Sequence, residues 1–247
     1  MSTPESSESA SLALKEGRET TVRLAPHRHP ASHGLYWLRA GFDLFRRDPW
    51  IWMVNYTLLA ASQLALGVVP LGSLLSPLLA LVLVGGLFLG CRDQDAGRTL
   101  TVVHLFAGFR KHTGRLVGPG LVAMLTGAVV VLVLAPAFLG IGMVDGGVNP
   151  WALLTALVVG IPLVMLFWLA PVLVVLNPRI GVVETLGLSF RGSLRNPAPL
   201  LVYVAALLPL SVIAAAPLFL GWLVLGPVTI GSTYAACKDI YPDANEA

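Results

Sequence analysis

The feature that most constrains this chain is a series of six long apolar stretches that contain no Asp, Glu, Lys or Arg. Each is close to the length, about 20 residues, that an α-helix needs to cross the hydrocarbon core of a bilayer. A backbone inside lipid must satisfy its own hydrogen bonds, which favours helices for such stretches. We therefore predict six transmembrane helices, over residues 49–69, 71–90, 116–143, 151–176, 197–215 and 217–237.

The composition supports a membrane protein. Only 12% of the residues are charged, whereas soluble domains carry about 25%. The net charge of +3 does not indicate a nucleic-acid partner, because the basic residues border apolar stretches and form no continuous polar face. Only a short break at Pro70 separates the first two stretches, and only a short break at Pro217 separates the last two. Either pair, if merged, would be too long for one crossing, so we predict tight hairpins in an all-α, polytopic membrane protein.

The charges of the loops predict the orientation of the chain. Cations cluster before the first stretch, after the second, after the fourth and after the sixth, whereas the opposite loops contain no Lys or Arg. Because positively charged loops stay in the cytoplasm, we predict three hairpins with both termini cytoplasmic. The cations concerned are Arg39, Arg46, Arg47, Arg92, Arg98, Arg110, Lys111, Arg115, Arg179, Arg191, Arg195 and Lys238.

The two ends of the chain differ from this apolar region. Residues 1–33 are rich in Ser and Glu and lack an apolar core, so we predict a disordered cytoplasmic tail and no signal peptide. We predict that residues 34–240 form the transmembrane domain and that residues 241–247 form a C-terminal tail. His27, His29 and His33 lie at the end of the N-terminal tail, and imidazole is a common metal ligand. No carboxylate or cysteine lies at ligand spacing beside them, so we predict a solvated linker and no metal site.

An amphipathic segment precedes the first, third and fifth stretches. In each segment the apolar residues fall on one helical face and charged or small residues fall on the other, which is typical of helices that lie along the membrane interface. We therefore predict that a cytoplasmic interfacial helix precedes every hairpin. The apolar faces are Leu35, Leu38, Phe42 and Phe45; Val102, Leu105, Phe106 and Phe109; and Val183, Leu186, Phe190 and Leu194.

Three Asx-Pro steps mark the corners where helices begin: Asp48-Pro49, Asn149-Pro150 and Asn196-Pro197. An Asp or Asn side chain can cap the free N–H groups of a first helical turn, and Pro is well tolerated at the first helical position. We predict a capped helix start at each of the three.

The polar segments also indicate an internal repeat. AGFDLFRRDP aligns without gaps on LSFRGSLRNP, which pairs Phe42 with Phe190 and Arg47 with Arg195, and AGFRKHTGR is a weaker middle copy. The hairpin ends Cys91-Arg92-Asp93 and Cys237-Lys238-Asp239 match as well. We predict three related units, each an amphipathic helix followed by a hairpin, over about residues 34–92, 99–178 and 180–239.

These polar segments also resemble a known group of proteins. The residues that carry the resemblance are Trp37-Leu38, Gly41-Phe42 and Leu44-Phe45, then Leu105-Phe106-Ala107-Gly108-Phe109-Arg110, then Glu184 to Phe190 with Asn196. Over residues 35–240 the chain resembles an uncharacterised family of proteobacterial six-span inner-membrane proteins, which is distantly similar to the membrane portion of some glycerophosphodiester phosphodiesterases. The resemblance implies a location in the bacterial inner membrane and supplies no catalytic residue and no cofactor.

The residue patterns do not favour an enzyme. The sequence has no phosphate-binding Gly-rich loop, no cluster of metal ligands at regular spacing and no acid or base inside the apolar stretches, where such groups mark ion-coupled transport. We therefore predict a protein without catalytic activity or cofactor. The polar residues Asn55, Gln63, Tyr203 and Tyr234 are candidates for lining a solute path, although hydrogen bonding between helices is their commoner role.

Two functional hypotheses fit these patterns. The first is a non-enzymatic membrane factor that binds lipids, especially anionic ones, and other membrane proteins or a second copy of itself. Its candidate headgroup-binding residues are Arg46, Arg47, Arg110, Lys111, Arg191 and Arg195, although topology signalling alone would also explain these charges. The second hypothesis is a transporter or flippase for a lipid or apolar solute, which needs a cavity that reaches Asn55 or Tyr203.

Overall fold

The structure is a computed structural model that describes residues 24–69, 72–111, 150–177 and 180–245. Within these ranges the chain is helical, contains no strand and ends in a short 3-10 helix at Pro242–Asn245. The fold is therefore all-α, as predicted, over the part that is described. The helices are α1 His33–Arg47, α2 Pro49–Val68, α3 Gly72–Asp95, α4 Val103–Lys111, α5 Pro150–Phe167, α6 Ala170–Leu176, α7 Val182–Arg195, α8 Pro197–Ala215 and α9 Trp222–Ile240.

Four segments of the described chain are long and apolar enough to cross a membrane: Pro49–Val68, Leu75–Asp95, Val158–Leu176 and Pro197–Ala215. They correspond to the first, second, fourth and fifth predicted spans. The predicted third span, residues 116–143, lies outside the described residues, as does Asn149 at the start of the fourth. The total of six spans and their arrangement as three hairpins therefore remain predictions.

Two spans differ in detail from the prediction. The fourth is divided between α5 and α6 by a bend at Trp168 and Leu169, next to Pro171, which has no N–H to continue the helical ladder. At the sixth, residues 216–221 form turns, and Leu218 and Phe219 have φ of 51° and 64°. Helix α9 accordingly begins at Trp222 and not at residue 217.

Helix α9 is an inner helix of the bundle. It contacts α1, α2, α3 and α8, and it is not among the four span candidates. The hydroxyls of Thr229, Ser232 and Thr233 donate to carbonyls of the preceding turn. A helix that buries most of its surface against protein needs no continuous apolar face toward lipid, which explains why its polar residues are tolerated.

Close backbone contact positions α1 on α9. Gly41 lies directly against the backbone of Val228 and Ser232, so a Cβ at residue 41 would overlap both. The buried residues of α1 are Gly34, Trp37, Gly41, Leu44 and Phe45. Leu35 and Phe42, from the predicted apolar face, are exposed on the outer side of the helix. Helix α1 therefore packs on protein through one face and leaves an apolar face open.

The other two predicted interfacial helices pack in a related way. Gly108 of α4 lies against the backbone of Val82 and would overlap it with a Cβ. Ser189 of α7 accepts a hydrogen bond from the Leu169 N–H at 3.0 Å and donates to the Met165 carbonyl at 2.9 Å. Each of the three helices thus approaches one turn of the second helix of a predicted hairpin. The repeat itself remains a prediction.

Two of the three predicted corners, Asp48-Pro49 and Asn196-Pro197, are confirmed in position and wrong in side-chain role. Asp48 and Asn196 directly precede α2 and α8, and Pro begins each helix. Neither side chain, however, forms a capping hydrogen bond to the helix that follows it. The Asp48 carboxylate accepts hydrogen bonds from Gln94 Nε2 at 2.9 Å and from the Leu100 N–H at 3.2 Å. Both side chains form hydrogen bonds to segments distant in sequence, and these tertiary hydrogen bonds take the place of the local cap.

Candidate functional site

An apolar groove runs along the outer side of α1. Its volume is about 870 Å³, and its walls come from α1, from the second half of α8, from the turn after it and from the first half of α9. The groove exists because α1 turns its apolar outer face toward the α8–α9 connection. The lining residues are Ser32, Leu35, Tyr36, Leu38, Arg39, Phe42, Leu210, Ile213, Ala214, Pro217, Gly221, Val224, Leu225 and Val228.

Arg39 is the one cation among these lining residues of the described chain. It is exposed, and it also borders a smaller polar pocket of about 390 Å³. In that second pocket the charges are mixed, and Lys238 pairs with Asp95. The guanidinium of Arg39 therefore stands where an apolar groove meets a polar surface, which is the arrangement of a site for an amphipathic molecule.

A basic surface lies beside the start of α8. Arg28 and Arg195 line a pocket of about 440 Å³ together with His29 and Pro197. Sequence reasoning identified Arg195 and missed Arg28, which fell inside the tail predicted to be disordered. Two guanidinium groups near a helix N-terminus favour anions, because the helix dipole adds positive potential there.

The predicted headgroup residues do not form one site. Arg46 is exposed, lies 3.9 Å from Asp43 and stacks over the Phe42 ring at 5.8 Å. Arg47 donates to the Gln94 carbonyl at 2.6 Å, so protein contacts already use part of its guanidinium. Arg191 is exposed on α7, and Arg195 joins Arg28. Arg110 and Lys111 end α4. Lipid binding by these six residues remains a prediction.

The predicted intramembrane polar residues are also separate from one another. Asn55 is fully buried, and its Nδ2 lies 3.4 Å from the Thr101 carbonyl, whereas its Oδ1 has no hydrogen-bond partner among the described residues. Gln63 accepts from Ser76 across the α2–α3 pair. Tyr203 shares a 2.6 Å hydrogen bond with Ser232. The contacts of Gln63 and Tyr203 join helices, as the commoner role of such residues predicts.

Tyr234 differs from the other three in its surroundings. Its hydroxyl lies 3.4 Å from an Asp95 carboxylate oxygen, and its side chain lines the polar pocket beside Arg39. The structure therefore places Tyr234 beside the mixed charges of this pocket and apart from Asn55 and Gln63.

The N-terminal segment is fastened to the ends of α7 and α9. Asn196, which is buried, accepts from the His29 N–H at 2.8 Å and donates to the His27 carbonyl at 2.8 Å. The His27 N–H donates to the Ile240 carbonyl at 2.8 Å. Residues 24–33, which fall in the predicted disordered tail, are therefore held against the bundle. This part of the tail prediction is wrong, because backbone groups there have hydrogen-bond partners far away in sequence.

These contacts bring His29 and His33 to Asp239. The His33 Nδ1 lies 2.7 Å from Asp239 Oδ2, and the His29 Nδ1 lies 3.7 Å from the same oxygen. Trp37 donates to Oδ2 from its indole N–H at 2.7 Å. The potential metal-ligand atoms of the two histidines and the aspartate all lie within 4.8 Å of one another. Sequence spacing could not reveal this cluster, because Asp239 is 206 residues from His33.

Comparison with known proteins agrees with a membrane location. The chain is 31% identical over 169 residues to a protein of Burkholderia thailandensis named as a probable inner membrane protein, and the match covers 58% of this chain and 60% of that relative. Together with the four apolar segments, this indicates an integral membrane protein of a bacterial inner membrane. No protein-family model and no solved structure matches the chain. The expected link to glycerophosphodiester phosphodiesterases is not shown.

Proposed function

We propose that this protein is a non-enzymatic membrane factor that binds anionic phospholipid at the cytoplasmic leaflet. The observation that supports this most directly is the apolar groove along α1 with Arg39 at its edge. An acyl chain matches the groove in polarity, and a phosphate matches the guanidinium in charge. The proposed orientation has both termini in the cytoplasm, so that the basic surfaces face the anionic leaflet.

The groove alone would not select a lipid. Lipid tails are as apolar as its walls, so moving a chain from the bilayer into the groove changes the free energy little. Selection must come from the headgroup, for which each basic residue near the surface contributes about 1 kcal/mol. If one headgroup contacts Arg28, Arg39 and Arg195, the three together favour an anionic over a zwitterionic lipid by about 3 kcal/mol. This corresponds to a roughly hundredfold difference in binding affinity.

The path of the chain connects the apolar groove to the basic pocket of Arg28 and Arg195. Ser32 lines the groove, and the preceding residue, Ala31, lines the pocket that contains Arg28 and Arg195. A headgroup at the N-terminal end of α1 is therefore close to both. This supports one continuous lipid-binding surface in which the groove holds chains and the arginines hold phosphates.

The alternative hypothesis, a transporter or flippase, has less support. Tyr203 is 4% exposed and Asn55 is fully buried, so neither is open to a solute in this conformation. The prolines inside α3, α5, α8 and α9 are also common in membrane helices that carry no solute.

Native mass spectrometry tests the lipid proposal. The purified full chain is exchanged into mixed micelles that contain phosphatidylglycerol and phosphatidylcholine in equal amounts, and the bound lipids are counted. We expect preferential retention of phosphatidylglycerol, reduced about fivefold by Arg39→Gln, because one basic contact of about 1 kcal/mol is lost. Arg98→Gln is the control, since Arg98 pairs with Asp93 away from the groove.

A steric variant separates the groove from the general surface charge. Ile213 lines the groove and Leu208 does not, although both are exposed on α8. Ile213→Trp should lower lipid retention, whereas Leu208→Trp should not. Equal retention in these two variants, or no preference for the anionic lipid in the unaltered protein, would overturn the proposal.

A further inference from the structure

The cluster at the junction of the N-terminal segment, α1 and α9 contains the ligand types of a transition-metal site. Two imidazoles and one carboxylate form a common protein ligand set for Zn²⁺ and related ions, and a water completes the coordination. The side chains of His29, His33 and Asp239 are 16%, 31% and 18% exposed. An ion could therefore enter and keep one water, while the ligands remain held by the protein.

The hydrogen bonds around the cluster fix the tautomer of His29 and hold the Asp239 carboxylate beside the two imidazoles. The His29 Nε2 lies 3.0 Å from the Asp239 backbone carbonyl, and because a carbonyl only accepts, this nitrogen carries the ring proton. The His29 Nδ1 therefore has its lone pair available, 3.7 Å from the Asp239 carboxylate. The indole N–H of Trp37 holds that carboxylate from the buried side. Such second contacts are typical of metal sites, where they set the tautomer and the orientation of the ligands.

We propose that His29 Nδ1, His33 Nδ1 and an Asp239 carboxylate oxygen bind one divalent transition-metal ion, for which Zn²⁺ is the best match. Two ligands at about 2.0 Å from a tetrahedral zinc lie about 3.3 Å apart. The present separations of 3.7 Å and 2.7 Å to Asp239 Oδ2 lie on either side of this value. The ion replaces the proton that His33 Nδ1 shares with the carboxylate, and small side-chain shifts complete the site.

A second cluster of histidine and aspartate in the same protein differs from this one, because a fixed cation pairs with its carboxylate. At the end of α3, Asp93 accepts from His104 Nε2 at 3.0 Å and from the Arg98 guanidinium at 2.6 Å. There a fixed cation neutralises the carboxylate, and Asp93 raises the pKa of Arg98 through that hydrogen bond. Among the described residues, the basic side chains within 4.0 Å of the Asp239 carboxylate are the two histidines alone. An aspartate beside two imidazoles and no fixed cation can accept a metal ion as its counter-charge.

Metal titration of the full chain, purified with a tag that contains no histidine and treated with EDTA, tests this proposal. Co²⁺ is added as a spectroscopic substitute for Zn²⁺, and visible absorption is recorded. We expect one Co²⁺ per chain with the ligand-field bands of a four- or five-coordinate site, displaced by Zn²⁺. The double variant His29→Gln/His33→Gln should lose these bands. Trp37→Phe should weaken binding about 10- to 100-fold, as is usual when a second contact is removed.

Two single variants are matched controls. His104→Gln removes the histidine of the Asp93 cluster, and His27→Gln removes an exposed histidine close to the site. Both should retain one ion per chain. A measurement on the unaltered protein covers the case in which the double variant fails to fold: pulsed electron paramagnetic resonance with Cu²⁺ should detect two coordinating imidazoles. Absence of stoichiometric binding, fewer than two imidazoles, or equal loss of binding in His104→Gln would overturn the proposal.

Discussion

Replacement of Gly41 by alanine tests how closely α1 packs on α9. The change has two opposing effects on stability, the cost of overpacking and the gain in helix propensity. A Cβ at residue 41 would overlap the Ser232 nitrogen and the Val228 carbonyl oxygen, both of which belong to the backbone of α9. Overpacking typically costs 1–3 kcal/mol, and backbone atoms cannot rotate away as a side chain can. We expect a cost near the upper limit, about 3 kcal/mol, offset by the roughly 0.5–1 kcal/mol that Ala gains over Gly inside a helix.

The matched control is Gly187→Ala. Gly187 lies inside α7, the corresponding helix of the third predicted unit, and a Cβ there would meet no atom within 4 Å. This variant should be neutral or up to about 1 kcal/mol more stable. Unfolding of both variants by SDS in mixed micelles, followed by circular dichroism, should show Gly41→Ala less stable than Gly187→Ala by about 3 kcal/mol. Equal stability would refute the close approach of α1 and α9.

Two further predictions concern the N-terminal segment and the orientation. Asn196→Ala should cost about 1–3 kcal/mol, because it removes two hydrogen bonds, to the His27 carbonyl and from the His29 N–H, that contribute about 0.5–1.5 kcal/mol each. Hydrogen exchange at the His29 amide should accelerate. Ser62→Ala loses only a bond to the Leu59 carbonyl of its own helix and should leave that rate unchanged. Reporter fusions should give cytoplasmic signals at Gly97 and Asn196 and a periplasmic signal at Gly147, as the distribution of loop cations predicts, and the opposite signal at any of the three sites would refute the orientation.

Sequence patterns predicted the apolar helices well because their signals are local. Helix α8 occupies the predicted residues 197–215, and α2 ends one residue before the predicted limit of 69. Length, the absence of charge and a Pro at the first helical position are each visible within one segment. Helix α9 began later than predicted because hydropathy does not show the turn at residues 216–221.

The contacts that build the candidate sites were hidden from sequence reasoning for a physical reason. The Asp239 carboxylate meets His33 across 206 positions, and the Asn196 side chain meets the His29 N–H across 167. Neither residue has a spacing or composition that identifies its partner. The same residues therefore received local interpretations, Asn196 as a helix cap and His29 as part of a solvated linker. Tertiary packing replaced the local role in both cases.

The packing of the predicted interfacial helices follows a common register. Gly41 contacts residues 228 and 232 of α9, and Gly108 contacts residues 82 and 86 of α3. Ser189 binds residues 165 and 169, at the end of α5 and the bend after it. Each pair is four residues apart, which is one helical turn. The aspartates near the ends of α3 and α9 occupy equivalent positions. Asp93 lies seven residues after residue 86, and Asp239 lies seven residues after residue 232. This common register is the structural argument for three related units.

The register also explains why so many polar contacts lie at the N-terminal segment. In the second and third predicted units, each interfacial helix packs on a hairpin that lies near it in the chain, as α4 does on α3. Helix α1 instead packs on α9, so the first element meets the last, and the closure of that long loop has the largest entropic cost. The bonds from His27 to Ile240, from Asn196 to the 27–29 segment and from His33 to Asp239 all stabilise this junction. A bound metal ion at His29, His33 and Asp239 would stabilise the same closure, since a ligand that binds only the folded chain favours folding in proportion to its occupancy.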